Sequence, residues 1–403
     1  MPSACCSATS RLCSARTAMP TTLACSTAFV GIMGGRNGEQ EEHVKIVAVL
    51  YPCPEDPTTV DSRDGAPQQL LGCADNALGL QDFVEGQGHE LVVTTDREGG
   101  ELEENLGDAD VLITTPFWPV YVTREMMDRA PNLKLMLLAG VGSDNMDLAA
   151  AADKNITIAE QTGSNITSVA EHSVMQILTL VRNYMPAYKD VVNGGWNIGE
   201  IARRSHDLED KTVGLVGMGR IGQKTAMRLR PFDVRMLYYD VTKLNTIDEY
   251  TLGLRYADID DMIPLCDVIS IHAPLTPVTR RLFNRERLFN MKKGAHIVNT
   301  ARGAIVDRDA LVEALEQGHL GGYAGDVWDS QPAPSDHPWR TMPNHAMTPH
   351  VSGTSLEAQA RYAEGVRRCL QAYFNGEPID RDRIIVEGGE IMSLSYKYAY
   401  EEA

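Results

Sequence analysis

Six polar side chains stand where predicted strands end: Asn165, Thr300, Arg302, Asp326, Gln331 and His350. In an open parallel sheet those ends form the ligand crevice. An arginine placed there can hold a small anion through charge-assisted hydrogen bonds, and a histidine can orient it or exchange a proton. Both also have an ordinary structural use. Arg302 could pair on the surface with Asp307, and His350 could be a hydrogen-bonded core residue. A second chemical signal is Gly217-Met218-Gly219-Arg220-Ile221-Gly222. It follows an apolar strand at 212–216 and opens a helix-compatible run at 223–229. A second strand at 234–239 ends in Asp240, 23 residues after Gly217. That is the context of a dinucleotide-binding βαβ unit. Gly217 allows the tight turn, Gly219 lets the backbone approach a pyrophosphate, and Gly222 lets helix and strand pack. The helix N-terminus offers free N–H groups to phosphate. Asp240 would accept the adenosine ribose hydroxyls and repel a 2′-phosphate, which favours NAD over its phosphorylated form.

The elements that must position these residues alternate in type. Apolar, β-branched runs at 44–50, 90–95, 111–114 and 135–139 read as strands, with a helix at 78–87 between the first two. A helix at 168–184 carries Val169, Ser173, Ile177, Leu180 and Val181 at helical spacing and links two halves. Strands at 212–216, 234–239, 268–271, 296–299 and 323–326 follow, with helices between them. A last helix at 355–374 could cross back to the first half. Alternation of this kind predicts an α/β protein with parallel sheets.

Composition bounds the alternatives. The chain has 403 residues, 43% of them hydrophobic, and a formal net charge of −18, which argues against a broad nucleic-acid surface. No apolar stretch is long enough to span a bilayer, so no membrane partner is expected. Cys5, Cys6, Cys13 and Cys25 crowd the N-terminus, whereas Cys53, Cys73, Cys266 and Cys369 are scattered. No zinc-type spacing occurs and no metal is expected; the scattered cysteines read as isolated thiols. Residues 1–38 hold Arg11, Arg16 and Arg36 but no Asp, Glu or Lys, and are rich in Ser, Thr and Ala. That pattern predicts an organellar transit peptide, for the mitochondrion first and a plastid as the alternative.

Longer motifs then carry a resemblance. They are PFWP at 116–119, GVGSD at 140–144, SN at 164–165, SVAEH at 168–172 and RNY at 182–184. They continue with GGWN at 194–197, NTARG at 299–303, GDVW at 325–328, QPAP at 331–334, DHPWR at 336–340 and TPHVSG at 348–353. The chain resembles the NAD-dependent formate dehydrogenases, within the wider D-2-hydroxy acid dehydrogenase family, over about residues 45–388. The resemblance implies that Arg302 binds the formate carboxylate, with Asn165 and the Val141 N–H holding its oxygens. Pro116, Phe117 and Trp118 would wall off water, and His350 would hydrogen-bond Gln331 beside the substrate. Thr300, Asp326, Val351, Ser352 and Gly353, with His350 and Ser143, would face the nicotinamide half of NAD. Gly217, Gly219, Arg220, Ile221, Gly222 and Asp240 would hold the pyrophosphate and adenosine. Pro274, Leu275, Thr276, Pro277, Val278 and Thr279 would line the cofactor groove. Asp329 and Ser330 depart from the family pattern, which predicts a looser turn before Gln331.

Gln331 separates two chemistries. Oxidising a 2-hydroxy acid needs a histidine base backed by a carboxylate, and the wider family has Glu there. Formate has no hydroxyl proton to lose, so a neutral Gln suffices. The expectation is therefore direct hydride transfer from formate to NAD+. The alternatives are a D-2-hydroxy acid or glyoxylate reductase and a non-catalytic NAD-sensing protein. The expected architecture is two Rossmann-like domains, the substrate domain flavodoxin-like. The substrate domain comprises 45–165 plus 352–403 and the NAD-binding domain 166–351, and the resemblance implies a homodimer.

Overall fold

The computed structural model describes residues 43–55, 69–394 and 396–397. The basic segment 1–38 and its cysteines lie outside the described residues. Two seven-stranded sheets organise the remainder. The first begins with β1 (Lys45–Val49), β2 (Glu90–Thr94), β3 (Val111–Thr114), β4 (Leu135–Leu138) and β5 (Thr157–Glu160). The second consists of β6 (Thr212–Val216), β7 (Arg235–Tyr239), β8 (Leu254–Tyr256), β9 (Val268–Ile271), β10 (His296–Asn299), β11 (Gly322–Gly325) and β12 (His345–Met347). The chain then returns to the first sheet with β13 (Ile384–Glu387) and β14 (Glu390–Ile391).

The strand orders determine where ligands can sit. The parallel part of the first sheet runs β2-β1-β3-β4-β5, the flavodoxin-like order. The second runs β8-β7-β6-β9-β10-β11-β12, all parallel, and contains the doubly wound nucleotide-binding order. Its switch point lies between β6 and β9, at the Gly217 turn. Both sheets are covered on both faces. This is why β3 (VLIT) and β4 (LMLL) are continuous buried runs rather than alternating ones. Each fully buried Leu or Ile in them contributes about 1.5–3 kcal/mol.

Two long helices set the halves. The Ile166–Val181 helix buries Val169, Ser173, Ile177, Leu180 and Val181. It packs against the Arg220–Leu229 helix and strands β10 and β11, so it belongs with the second sheet. The Leu356–Phe374 helix starts at Ser355, whose side chain accepts the Ala358 N–H. Its buried Tyr362, Val366, Cys369 and Leu370 join the first-sheet core with Ile46 and Leu50.

Four expectations are corrected. The helix at 78–87 is only Gln81–Glu85; a tighter turn, Ala74–Gly79, precedes it, with Ala77 and Leu78 in left-handed conformation. The Leu78 N–H reaches back to the Leu71 carbonyl, which bends the chain there. The first sheet is not purely parallel, because β13 enters antiparallel beside β5 and turns into β14. The crossing helix delivers the chain to that edge from the opposite end of the sheet. Strands β5, β8 and β12 were not foreseen, being short and carrying polar residues. Finally, Cys53 and Cys73 form a disulfide rather than isolated thiols. A parallel bridge pairs Tyr51 with Cys73, and the Cα atoms of Cys53 and Cys73 lie 5.0 Å apart. Cys266 and Cys369 are free and buried, and burial pushes the Cys266 thiol up to about 12, so neither is poised as a thiolate.

Candidate active site

The nucleotide cradle forms where β6 ends. Gly217 takes φ +93°, a conformation other residues rarely adopt. Asp240, at the end of β7, accepts the Met218 N–H at 2.5 Å and the Thr242 N–H at 2.9 Å. It therefore closes the glycine turn. A side chain on Gly219 would meet nothing within 4 Å, so the space a pyrophosphate needs is open at the N-terminus of the Arg220–Leu229 helix. Arg220 and Ile221 form the first turn of that helix. A side chain on Gly222 would instead lie 2.2 Å from the Gly217 carbonyl oxygen. Gly222→Ala is expected to lower stability by about 1–3 kcal/mol, seen as a lower Tm. An unchanged melting curve would contradict this close packing.

After β9, Pro274–Thr279 form the opposite wall. The Thr279 hydroxyl donates to the Pro274 carbonyl at 2.6 Å, and the Thr276 N–H donates to the Thr279 hydroxyl at 2.8 Å. Leu275 is half-buried, while Pro277 and Val278 are exposed. Thr300, at the end of β10, shares a 2.9 Å hydrogen bond with Ser173. Asp326, fully buried after β11, accepts the Val351 N–H at 2.8 Å, the Ser352 N–H at 2.7 Å and the Thr348 hydroxyl at 2.5 Å. It thereby pins the loop that carries His350, Ser352 and Gly353.

Arg302 follows β10. It does not pair with Asp307, which caps a helix by accepting the Ala310 N–H. Its Nε donates to Asp144 at 2.7 Å, a residue 158 positions away in the loop that follows β4 of the other sheet. Nη1 donates to the Ala301 carbonyl at 2.8 Å; Nη2 donates to the carbonyls of Gly142 at 2.9 Å and Val141 at 3.3 Å. Of the five guanidinium N–H groups, one on Nη1 has no acceptor among the described residues. A side chain on Gly142 would strike the guanidinium at 1.8 Å, so only glycine fits beside it.

Asn165 immediately precedes the Ile166–Val181 helix, where an Asn side chain ordinarily caps the backbone. Here it makes no capping bond, and its buried Oδ1 accepts no hydrogen bond. The amide lies against Gly353 and leaves polar capacity for a ligand. Phe117 meets the His350 ring edge-on, with centroids 5.3 Å apart, and Pro116 packs over Gly140. Trp118 donates to the Thr95 carbonyl at 2.9 Å, under the Arg97 guanidinium. These residues make one wall apolar.

His350 sits at φ +58°, a strained position held by its surroundings. Its Nδ1 is 2.9 Å from Gln331 Nε2. The Gln331 amide has one possible orientation. Its Oε1 faces the Trp328 N–H, a pure donor, at 3.2 Å, and its Nε2 faces the Pro116 carbonyl, a pure acceptor, at 3.3 Å. Gln331 must therefore donate to Nδ1, and the His350 proton resides on Nε2. Burial, with the nearby Arg302 charge, pushes the imidazole down to about 4, against the pull of Asp326. The imidazole is neutral at physiological pH. The turn before Gln331 is not loose: Asp329 hydrogen-bonds His337 and lies 3.6 Å from Arg308.

The contacts above bring Pro116, Phe117, Gln331 and His350 together, set Asn165 against Gly353, and tie Arg302 to the loop after β4. The Ser143 side chain points away from such a role, being fully buried and bonded to Glu160 at 3.0 Å. Asp144, Glu160, Arg97 and Tyr396 were missed. Asp144 lies inside the GVGSD motif, whereas Glu160, Arg97 and Tyr396 carry no local signal.

Residues 174–352 match the model of the D-isomer specific 2-hydroxyacid dehydrogenase, NAD binding domain. The chain is 51% identical over 358 residues to the chloroplastic/mitochondrial formate dehydrogenase of Arabidopsis thaliana, covering 88% of this chain and 91% of that one. It is 51% identical over 344 residues to the formate dehydrogenase of Pseudomonas sp. (strain 101), covering 85% and 86%. Among solved structures, the NAD-dependent formate dehydrogenase of Staphylococcus aureus in complex with NAD aligns with a TM-score of 0.77 at 48% identity. That alignment covers 85% of this chain and 99% of the other.

Proposed function

Because this chain belongs to the formate dehydrogenase family, within the D-isomer specific 2-hydroxyacid dehydrogenases, we propose that it oxidises formate to carbon dioxide with NAD+. When bound, NAD+ supplies the acceptor for the hydride. It is held by the Gly217–Gly222 turn, Asp240 and the Pro274–Thr279 wall, with its nicotinamide half at Thr300, Asp326 and the 350–353 loop. The cofactor domain is 166–351; the substrate domain is 45–165 with 352–403.

The observation that carries the reading is the Gln331–His350 pair in its neutral tautomer. A general base is not needed, since formate loses a hydride and no proton. The Arg302 guanidinium holds the formate carboxylate with its free Nη1–H and by exchanging its weak contact to Val141. Asn165 and the Val141 N–H take the other oxygen. Pro116, Phe117 and His350 hold the C–H aimed at the cofactor and exclude water. Negative charge is lost from the carboxylate as the hydride leaves, so tight ground-state pairing with Arg302 must be limited. Asp144, already paired with Arg302, does this.

The test is NAD+ reduction with formate, D-lactate, D-glycerate and glycolate. Turnover with formate alone is expected. Turnover with hydroxy acids but not formate would overturn the reading in favour of a hydroxy acid reductase, and tight NAD binding without turnover in favour of a sensor.

The enzyme acts as a homodimer through its second sheet's helices. Tyr184, Tyr188, Val191, Val192 and Ile198 are exposed there, and Trp196 is 79% exposed. An apolar face of this kind ordinarily marks an interface. Unaltered protein should elute at twice the 44.3 kDa chain mass, and the Val192→Asp/Trp196→Asp variant as a monomer. A monomeric unaltered protein would contradict this. The basic, acid-free 1–38 segment directs the enzyme to the mitochondrion, consistent with the organellar name of the Arabidopsis relative.

A further inference from the structure

The loop after β4, residues 141–144, carries the substrate contacts, yet it is held from behind by groups the reaction does not touch. The Gly142 N–H donates to Glu160 Oε2 at 2.8 Å, and the Ser143 hydroxyl donates to the same oxygen at 3.0 Å. Glu160 is buried at the end of β5, and its Oε1 accepts the Thr162 hydroxyl at 3.2 Å. The Ser143 N–H donates to the Tyr396 hydroxyl at 2.9 Å. Tyr396 arrives from the far end of the chain, beyond β14, and is 5% exposed. Its ring packs in the first-sheet core with Val120, Met146 and Ile385. Asp144 and the Val141 and Gly142 carbonyls are tied to Arg302.

Of the loop's first three N–H groups, those of Gly142 and Ser143 are captured inside the protein. Only the Val141 N–H has no acceptor among the described residues. Holding the Gly142 and Ser143 N–H groups restricts the orientation of the Val141 peptide beside them. Glu160 holds it from its own sheet. Tyr396 is the support contributed by the C-terminal segment.

We propose that Tyr396 is a positioning residue for formate: by accepting the Ser143 N–H, its hydroxyl sets the 141–144 loop so that the Val141 N–H and Arg302 meet the carboxylate together. This rests on the functional reading above. Burial raises the phenol well above its ordinary range, so it stays neutral and able to accept at all working pH. Tyr396 does not touch the hydride path. The contact it supports is made to the carboxylate of bound formate and weakens as carbon dioxide forms. Losing it should therefore weaken substrate binding without slowing the chemical step.

The experiment compares the full-length enzyme with Tyr396→Phe, which removes one oxygen and keeps the ring. Steady-state rates are measured against formate at saturating NAD+ and against NAD+ at saturating formate. The expected result is a formate KM raised about tenfold, the effect of leaving one buried N–H unpaired. The kcat and the KM for NAD+ should stay within about twofold. A second variant ending at Ser393 loses ring and hydroxyl together and should raise the formate KM at least as far. An unchanged formate KM in either variant, or an NAD+ KM rising in step with it, overturns the proposal. Failure of the unaltered enzyme to oxidise formate would instead overturn the functional reading on which it rests.

Discussion

Arg302→Ala should lower kcat/KM for formate about a thousandfold while leaving NAD+ binding within a fewfold. The guanidinium is only 18% exposed and is paired with Asp144. Two charge-assisted hydrogen bonds to a carboxylate are worth about 1.5–3 kcal/mol each. Their joint loss corresponds to about 10²–10⁴ in rate. Truncation also strands Asp144, itself 19% exposed, whose charge then repels formate. Arg302→Lys should recover little of this. A lysine is a point donor and cannot span Asp144, the loop carbonyls and the substrate in one plane. Steady-state kinetics with formate, paired with a titration of NAD+ binding, measure both halves. Formate turnover within tenfold of the unaltered enzyme would remove Arg302 from the site.

Gln331→Glu should reshape the pH profile. In the native site Gln331 donates to His350, so an imidazolium, with a proton on Nδ1, would face N–H against N–H. Burial together with Arg302 holds the imidazole down to about 4. The active form is neutral, it dominates above about pH 4, and kcat/KM for formate should be flat from there through neutrality. A glutamate reverses the preference. It accepts from an imidazolium and raises the His350 pKa towards the neutral range. It also sets an oxygen against the Pro116 carbonyl, where an N–H now donates. The variant should lose about ten- to hundredfold in kcat/KM at pH 7. Its activity should fall as pH drops through neutrality and recover as pH rises. Superimposable profiles for the two proteins would show that the His350 protonation state does not matter to the reaction.

Much of this site was legible before any fold was known. The glycine turn, its preceding strand and Asp240 are a local pattern, because backbone geometry at a tight turn and a helix N-terminus depends on neighbours in sequence. The buried strands were equally local: four consecutive apolar residues in β3 and again in β4 have no solvent face to write as alternation. The kink at Ala77 and Leu78 was not legible. The apolar pattern there suits a helix, and the turn is imposed by the Leu78 bond to Leu71 and by the Cys53–Cys73 pairing.

What the sequence by itself determined was the kind of chemistry: residue types at strand ends, a nucleotide turn that disfavours a 2′-phosphate, and a neutral Gln where a hydroxy acid enzyme carries Glu. What only the tertiary structure decided was the pairing. Asp144 rather than Asp307 holds Arg302, across 158 residues. The direction of the Gln331 amide, and with it the His350 tautomer, is set by the Trp328 N–H and by a Pro116 carbonyl 215 residues away. Tyr396 reaches Ser143 across 253 residues. Periodicity and propensity act over a few residues. These partners meet only because two sheets and a returning C-terminal segment pack around one crevice, where every buried donor must find its acceptor.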